Sequence, residues 1–391
     1  MAASGTSVQR LGVHRRHARR LFPARRGASR PRRELSHSVS ELSLLRIVAQ
    51  GLAGPRASAP EGVVARLSCV QAQELPGALE SVAQRTTSAQ VADVREALSR
   101  GTIVRSWTQR GTLHLAAAAD LAWILALTAE RTFSNATQRY RQLGIDETVI
   151  ARACTAIESM LAEKTALTRA EIMARWGLEG LTDVPQRGIH LIAILCRRLV
   201  LVQGPPHPTN AREQLFVAAD AWLPAQASLD RDEALARWVR AFFLGHGPAP
   251  VNEFARWTGL PLGDARRGLD AVRAELAAVD IGGVTHWMAP DLPDRLAASR
   301  GEARGVLLLP GFDELLLGYL DRSATIGPEH AERFCPGGNG VFRPTIVHDG
   351  RVVGLWRWDR TKRHIEPEIF DGEVTPAVRE AIVRREAMAA P

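Results

Sequence analysis

The chain has 391 residues, 46% of them hydrophobic, and a formal net charge of +8. That length predicts two to four domains, with enough apolar content for packed cores. The charge excludes a uniformly basic body: residues 1–33 hold ten arginines and no acid, and without them 40 basic residues face 42 acidic ones.

Residues 1–38 read as a disordered Arg-rich extension. A basic arm that touches phosphate and an organelle transit peptide are the alternatives. No apolar stretch follows the arginines, which argues against a secretory signal. From Val39, an apolar helix around Leu42, Leu45, Ile47 and Leu52 is broken by Gly54-Pro55. An apolar segment then leads to Gln71-Ala72-Gln73. Pro76 opens a helix through Leu79 and Val82, and Thr87-Ser88 precedes another that ends near Gly101. Ile103–Trp107 and Gly111–Leu115 alternate as two strands of a hairpin. Helices followed by such a hairpin form a winged helix-turn-helix. A basic amphipathic connector follows, carrying Arg131, Arg139 and Arg141.

The same order recurs. Thr168 and Glu171 form a capping box, Ile189–Leu199 is a recognition-type helix, and Val200–Val202 with Gln214–Val217 form a second wing. The third block has a helix around Trp238, Phe242 and Phe243. Helices at Val251–Thr258 and Asp264–Leu276 follow, then strands at Val279–Ile281 and Thr285–Met288. Units of about sixty to seventy residues in series indicate a tandem array. From Val306 the chain turns β-rich, with an Asp349-Gly350 hairpin turn and a last helix from Pro376 to Met388. The expected fold is mainly α with β. It comprises a first winged helix with the glutamine motif and connector over 39–148, a second over 149–230 and a third over 231–292. A β-barrel-like domain occupies 293–391.

Gln71 and Gln73 are the chemistry-bearing pair. A primary amide offers one acceptor and two donors, so two of them can hold a water and steady a developing cation without ionising. That suits a hydrolysis whose leaving group is already activated; the structural alternative has both amides tying backbone at a bend. Arg105 and Arg110 can meet phosphate oxygens, and Ser106, Thr108 and Thr112 add hydroxyl donors that set register on a nucleic-acid backbone. The bland alternative for the two arginines is a solvated wing face. Trp107 stacks on a base or sits in the core. His114 reaches the site or is buried on backbone. Pro336–Gly340, with Asn339, is a flexible glycine-rich loop ahead of Arg343, with a plain turn as the bland reading. Asp313, Asp321 and Arg322 read as structural support, the last two through a local ion pair; a hydrolase carboxylate dyad is the alternative. Cys69, Cys154, Cys196 and Cys335 form no Cys-x-x-Cys or Cys/His cluster, so neither metal nor cofactor is expected. The longest apolar run, Leu113 to Leu127, is interrupted by His114 and Asp120 and is too short for a bilayer.

Three segments in order resemble the bacterial winged-helix DNA glycosylases of the AlkZ type. Gln71-Ala72-Gln73 is similar to that family's Gln-apolar-Gln motif. Arg105-Ser106-Trp107-Thr108-Gln109-Arg110-Gly111-Thr112-Leu113-His114 resembles its Arg-Thr-Trp-x-x-Arg-Gly-Thr-Leu-His signature, with Ser106 for threonine. Phe312-Asp313 through Gly318-Tyr319-Leu320-Asp321-Arg322 resembles its C-terminal segment. The resemblance covers about residues 40 to 370. It implies three tandem winged helices plus a β-barrel, with Gln71 and Gln73 as catalytic residues. It also implies that the Pro336–Gly340 loop enters a DNA groove, with Asn339 and Arg343 as contacts. The implied activity is monofunctional hydrolysis of the N-glycosidic bond of alkylated purines, extending to the unhooking of interstrand crosslinks. The implied partner is double-stranded DNA, bound by a cytoplasmic, nucleoid-associated monomer without membrane or metal. The competing reading is a non-catalytic winged-helix DNA-binding protein or transcriptional regulator, which has no need of the glutamine pair.

Overall fold

The helix–hairpin order is repeated three times in the computed structural model, which describes residues 39–389 except 360. The arginines of 1–33, and with them the expected extension over 1–38, lie outside the described residues. In the first block, helix Pro60–Leu67 starts on its proline and stops at Ser68, whose φ of 64° leaves the helical region. The chain then runs extended through Cys69–Gln71. Helix Leu75–Ala83 begins where the Glu74 carboxylate accepts from the Gly77 N–H at 2.6 Å. Helix Val91–Ser99 and strands Ile103–Trp107 and Leu113–Ala117 complete the block.

The long helix Leu121–Gln142 leads to the second block: helices Glu147–Glu163, Arg169–Leu178 and Arg187–Arg197, then strands Leu201–Pro206 and Gln214–Ala218. The Thr168–Glu171 capping box is present. The third block has helices Arg231–His246, Val251–Thr258 and Leu262–Val272 and strands Ala277–Ile281 and Val284–Met288. A second capping box, Asp230 with Glu233, opens it.

The first two hairpins share one antiparallel sheet. Its strand order is Cys69–Gln71, Leu113–Ala117, Ile103–Trp107, Leu201–Pro206, Gln214–Ala218, joined across the blocks where Arg105 faces Gln203. The third hairpin stands as a two-stranded sheet.

One expectation about the end of the chain is corrected. The β-rich tail is not a barrel. Strands Leu307–Leu309, Thr345–His348, Arg351–Asp359 and His364–Ile369 form an open four-stranded sheet, and no described pairing joins the first strand to the last. Closure is unnecessary because both faces are covered. Leu308, Ile346 and Trp356 pack under helix Pro376–Ala389 through Val378 and Ile382. Leu309, Val347 and Val352 face a core that includes Leu45, Ile47, Val48 and Leu292. While Val63, Leu79 and Leu98 form a separate core, helix Val39–Ala49 packs on helix Leu292–Ala303 and this sheet. Its apolar residues surround the helix on all sides, so no one-sided pattern announced its partner.

Candidate active site

Gln71 is the last residue of an edge strand. Gln71 pairs with His114 across the sheet, and the Ala72 N–H donates to Leu113 O at 2.8 Å, carrying the extended backbone past the strand's end. Alternation along that segment sends Val70 and Ala72 into the core with Val63, Leu79 and Leu115. Gln71 and Gln73 therefore share the opposite face. Gln73 is exposed, while Gln71 retains 9% of its surface.

Three side chains hold this segment. Arg105 donates through Nε to Ala72 O at 2.8 Å, through Nη2 to Gln73 O at 3.3 Å, and through Nη1 to Gln203 Oε1 at 3.0 Å. Glu314 Oε1 accepts the Gln71 N–H at 2.8 Å. Arg110 Nη2 donates to Gln71 Oε1 at 3.3 Å, and its Nη1 reaches Trp257 O. Arg110 does so with φ of 54°, in the left-handed region that few side chains adopt.

Glu314 is fully buried. Its second oxygen accepts from Trp257 Nε1 at 3.1 Å and lies 3.5 Å from His246 Nε2. Burial alone would raise its pKa, but His246 and the Gln71 N–H outweigh it and hold the carboxyl below its usual range. One residue earlier, Asp313 takes both guanidinium nitrogens of Arg85, each at 2.8 Å, and the Ser81 hydroxyl at 2.6 Å. Both carboxylates thus clamp the first block to the C-terminal part. One orders the glutamine segment and the other the helix that follows it.

The residues expected to face DNA separate into two groups. Arg105 is 6% exposed, with its donors spent on Ala72 O, Gln73 O and Gln203 Oε1, so its side chain does not lie on a solvated wing face. Ser106 and Thr108 are fully buried, and Trp107 joins the core of Leu113, Tyr140 and Ile157. His114 is also buried: burial, reinforced by Arg110, pushes its pKa down to about 3. Its Nδ1 lies 3.0 Å from both Thr112 O and Thr108 Oγ1. The carbonyl can only accept, so Nδ1 carries the hydrogen and Nε2 is a bare acceptor with no partner. In this structure Arg105, Ser106, Trp107, Thr108 and His114 are therefore covered by packing and are not presented to solvent.

Arg110 and half-buried Thr112 remain at the surface. Asn339 is exposed in its loop, its Oδ1 accepting the Val341 N–H at 2.8 Å. Arg343 is bound to Glu368 at 2.8 Å. Asp321 and Arg322 do not pair: Asp321 accepts from the Ser323 N–H, and Arg322 Nε donates to Leu316 O at 2.7 Å. Arg322 and Arg110 each lie near enough to Arg256 to feel its charge. Burial lowers the pKa of Arg322 and Arg110, and Arg256 adds to the depression of each. Glu314, Gln203 and Arg256 were not picked out from the sequence. A glutamine inside the apolar run Leu201-Val202-Gln203 was the one available signal among them. No group of three or more His, Cys, Asp or Glu able to hold a metal occurs among the described residues, and no described helix is long and apolar enough to cross a membrane.

In a mainly helical chain with antiparallel sheets, largely buried Gln71 and exposed Gln73 thus share one face beside Arg110. The family model for DNA glycosylase AlkZ-like proteins matches residues 64–390, and the chain belongs to that family. The interstrand DNA cross-link repair glycosylase of Streptomyces sahachiroi is 27% identical over 307 residues, covering 75% of this chain and 81% of that protein. The solved structure of Streptomyces sahachiroi DNA glycosylase AlkZ aligns with a TM-score of 0.72 at 25% identity, covering 90% of this chain and 95% of that one.

Proposed function

We propose that this chain is a monofunctional glycosylase that hydrolyses the N-glycosidic bond of alkylated purines in duplex DNA, with Gln71 and Gln73 at the reacting sugar. We read its three helix–hairpin blocks as winged-helix units that present this face to DNA. The observation that carries the reading is the shared face of the two glutamines, with Gln71 fixed by Arg110 and Glu314 and Gln73 open to solvent.

An N7- or N3-alkylated purine is cationic and leaves as a neutral base, so the reaction needs no general acid. The work left is to place a water and to stabilise an oxocarbenium-like sugar. The side-chain oxygen of Gln73, which also takes the Leu113 N–H at 3.5 Å, accepts a hydrogen bond from the water with its remaining lone pair, and the amide dipoles oppose the developing charge. An amide is a poor base, so unactivated purines with poor leaving ability are spared. The name of the Streptomyces relative, an interstrand DNA cross-link repair glycosylase, extends the proposal to the unhooking of interstrand crosslinks.

The test is release of free base from a duplex bearing N7-methylguanine, under single-turnover conditions with protein in excess. Base release that leaves an abasic site supports the proposal. A protein that binds the duplex and releases no base is instead a DNA-binding protein without this chemistry.

A further inference from the structure

The glutamine chemistry leaves unused a cleft of about 450 Å³ that opens beside Arg110. Its walls come from the turn Gln109–Gly111, the helices Leu121–Gln142 and Arg187–Arg197, and the turn at Gly259. Arg110, Arg131 and Arg197 line it, and among the described residues no carboxylate does. Arg131 is exposed and makes no hydrogen bond or ion pair with any described residue. Arg197 is 8% exposed. Its Nη1 donates to the Tyr140 hydroxyl at 3.0 Å, while its Nε is buried without a partner. A buried guanidinium lacking both a carboxylate and a full set of acceptors is costly unless an anion completes it.

Two glycines keep the space open. Gly111 has φ of +73°, and a Cβ there would come within 3.3 Å of Thr132 Cγ2 and 3.6 Å of Arg197 Nη2. Gly259 has φ of +76°, and a Cβ there would lie 3.3 Å from Arg110 Cγ. Any side chain at either position is strained, and it would crowd Thr132 from position 111 and Arg110 from position 259.

The charge decides what enters. A cationic alkylpurine meets three guanidinium groups in a cleft lined by no carboxylate, only Arg110 being offset by buried Glu314 behind it, and is repelled. A phosphate group carries the opposite charge and presents oxygens that the planar guanidinium fork matches. The exposed Asn135 amide adds a neutral donor on the same helix face, one turn from Arg131.

We infer that this cleft seats a backbone phosphate of the DNA strand next to the glutamine pair, and that Arg110 ties that seat to Gln71. The inference rests on the proposed reading that the Gln71–Gln73 face meets DNA. A free phosphate ion has the same chemistry, and the experiment separates the two sources.

The full chain is titrated with an undamaged fluorescent duplex over a range of salt concentrations, as wild type, Arg131→Ala, Arg131→Lys and Asn135→Asp. Arg131→Ala weakens binding about tenfold, as expected for one lost charge-assisted contact. It also flattens the log–log salt slope by about 0.9, the value of one phosphate. Arg131→Lys keeps the slope, and Asn135→Asp, which puts a carboxylate into the cleft, weakens binding at least as much as Arg131→Ala. At matched ionic strength, inorganic phosphate displaces the duplex no better than chloride. A wild-type slope in Arg131→Ala overturns the inference, and so does selective displacement by inorganic phosphate, which would make the cleft a free-anion site. None of these readings uses base release. A protein that shows them and releases no base keeps the phosphate seat and loses the glycosylase assignment; base release with an unchanged Arg131→Ala slope does the reverse.

Discussion

Replacing Arg105 with alanine separates a residue that holds the glutamine segment from one that touches DNA. The side chain makes three hydrogen bonds, to Ala72 O, Gln73 O and Gln203 Oε1. At roughly 2 kcal/mol for each bond from a charged donor, their gross value is about 6 kcal/mol. Burial opposes this. It pushes the Arg105 pKa from 12.5 down to about 10, so the charged form is disfavoured by about 3 kcal/mol, which the substitution relieves. The net expected loss is about 3 kcal/mol, or a Tm lower by about 4 °C in a chain of this size. With Ala72 O and Gln73 O released, the glutamine amides lose their register against the sugar. A displacement of about 1 Å costs on the order of 100-fold in rate. Calorimetry, single-turnover base release and a salt titration of duplex affinity read the three effects separately. Duplex affinity should change less than about twofold and the salt slope should stay put, because no phosphate contact is lost. A variant that melts and turns over like wild type but has a slope flatter by about 0.9 would refute the argument and return Arg105 to the DNA surface.

Gln71→Ala and Gln73→Ala should each slow base release by about 10- to 1000-fold, as for loss of one preorganised polar group, with little change in duplex affinity; wild-type rates in both would make the pair structural. Asp313→Asn strands the fully buried Arg85 and should cost about 3–5 kcal/mol, seen as a lower denaturation midpoint. The pKa of His114 is depressed in the folded state to about 3, so its contribution to stability is complete above the unfolded value of 6.5 and is lost as pH falls toward 3. Between pH 7 and pH 5 that loss is about 2 kcal/mol, and the Tm of His114→Gln should fall less over this interval than that of wild type. Deleting residues 1–33 removes ten positive charges and should flatten the salt slope of non-specific binding while base release at saturating protein persists; loss of both would place the arm in the functional site.

Local pattern was enough to locate most elements. The Thr168–Glu171 box, the Pro76 helix start, the alternation in Ile103–Trp107 and the Asp349-Gly350 turn each act over a few residues, so sequence carries them whole. The same holds for the glutamine pair: a spacing of two in extended chain places both amides on one face wherever the strand lies. What neighbours a strand is another matter. Arg105 alternates with apolar residues as an exposed wing residue would, and nothing nearby shows that Leu201–Pro206, about a hundred residues on, closes over it and brings Gln203 to its guanidinium. Asp313 and Glu314 stand side by side in the chain, yet one meets Arg85 and the other meets the Gln71 N–H, Trp257 and His246, partners supplied by packing across more than fifty residues. Residue type and short-range spacing determined which groups could do chemistry. Only the tertiary structure decided which of them are buried, because burial and charge pairing depend on which distant segments come together, and the hydrophobic contacts that bring them together are non-directional.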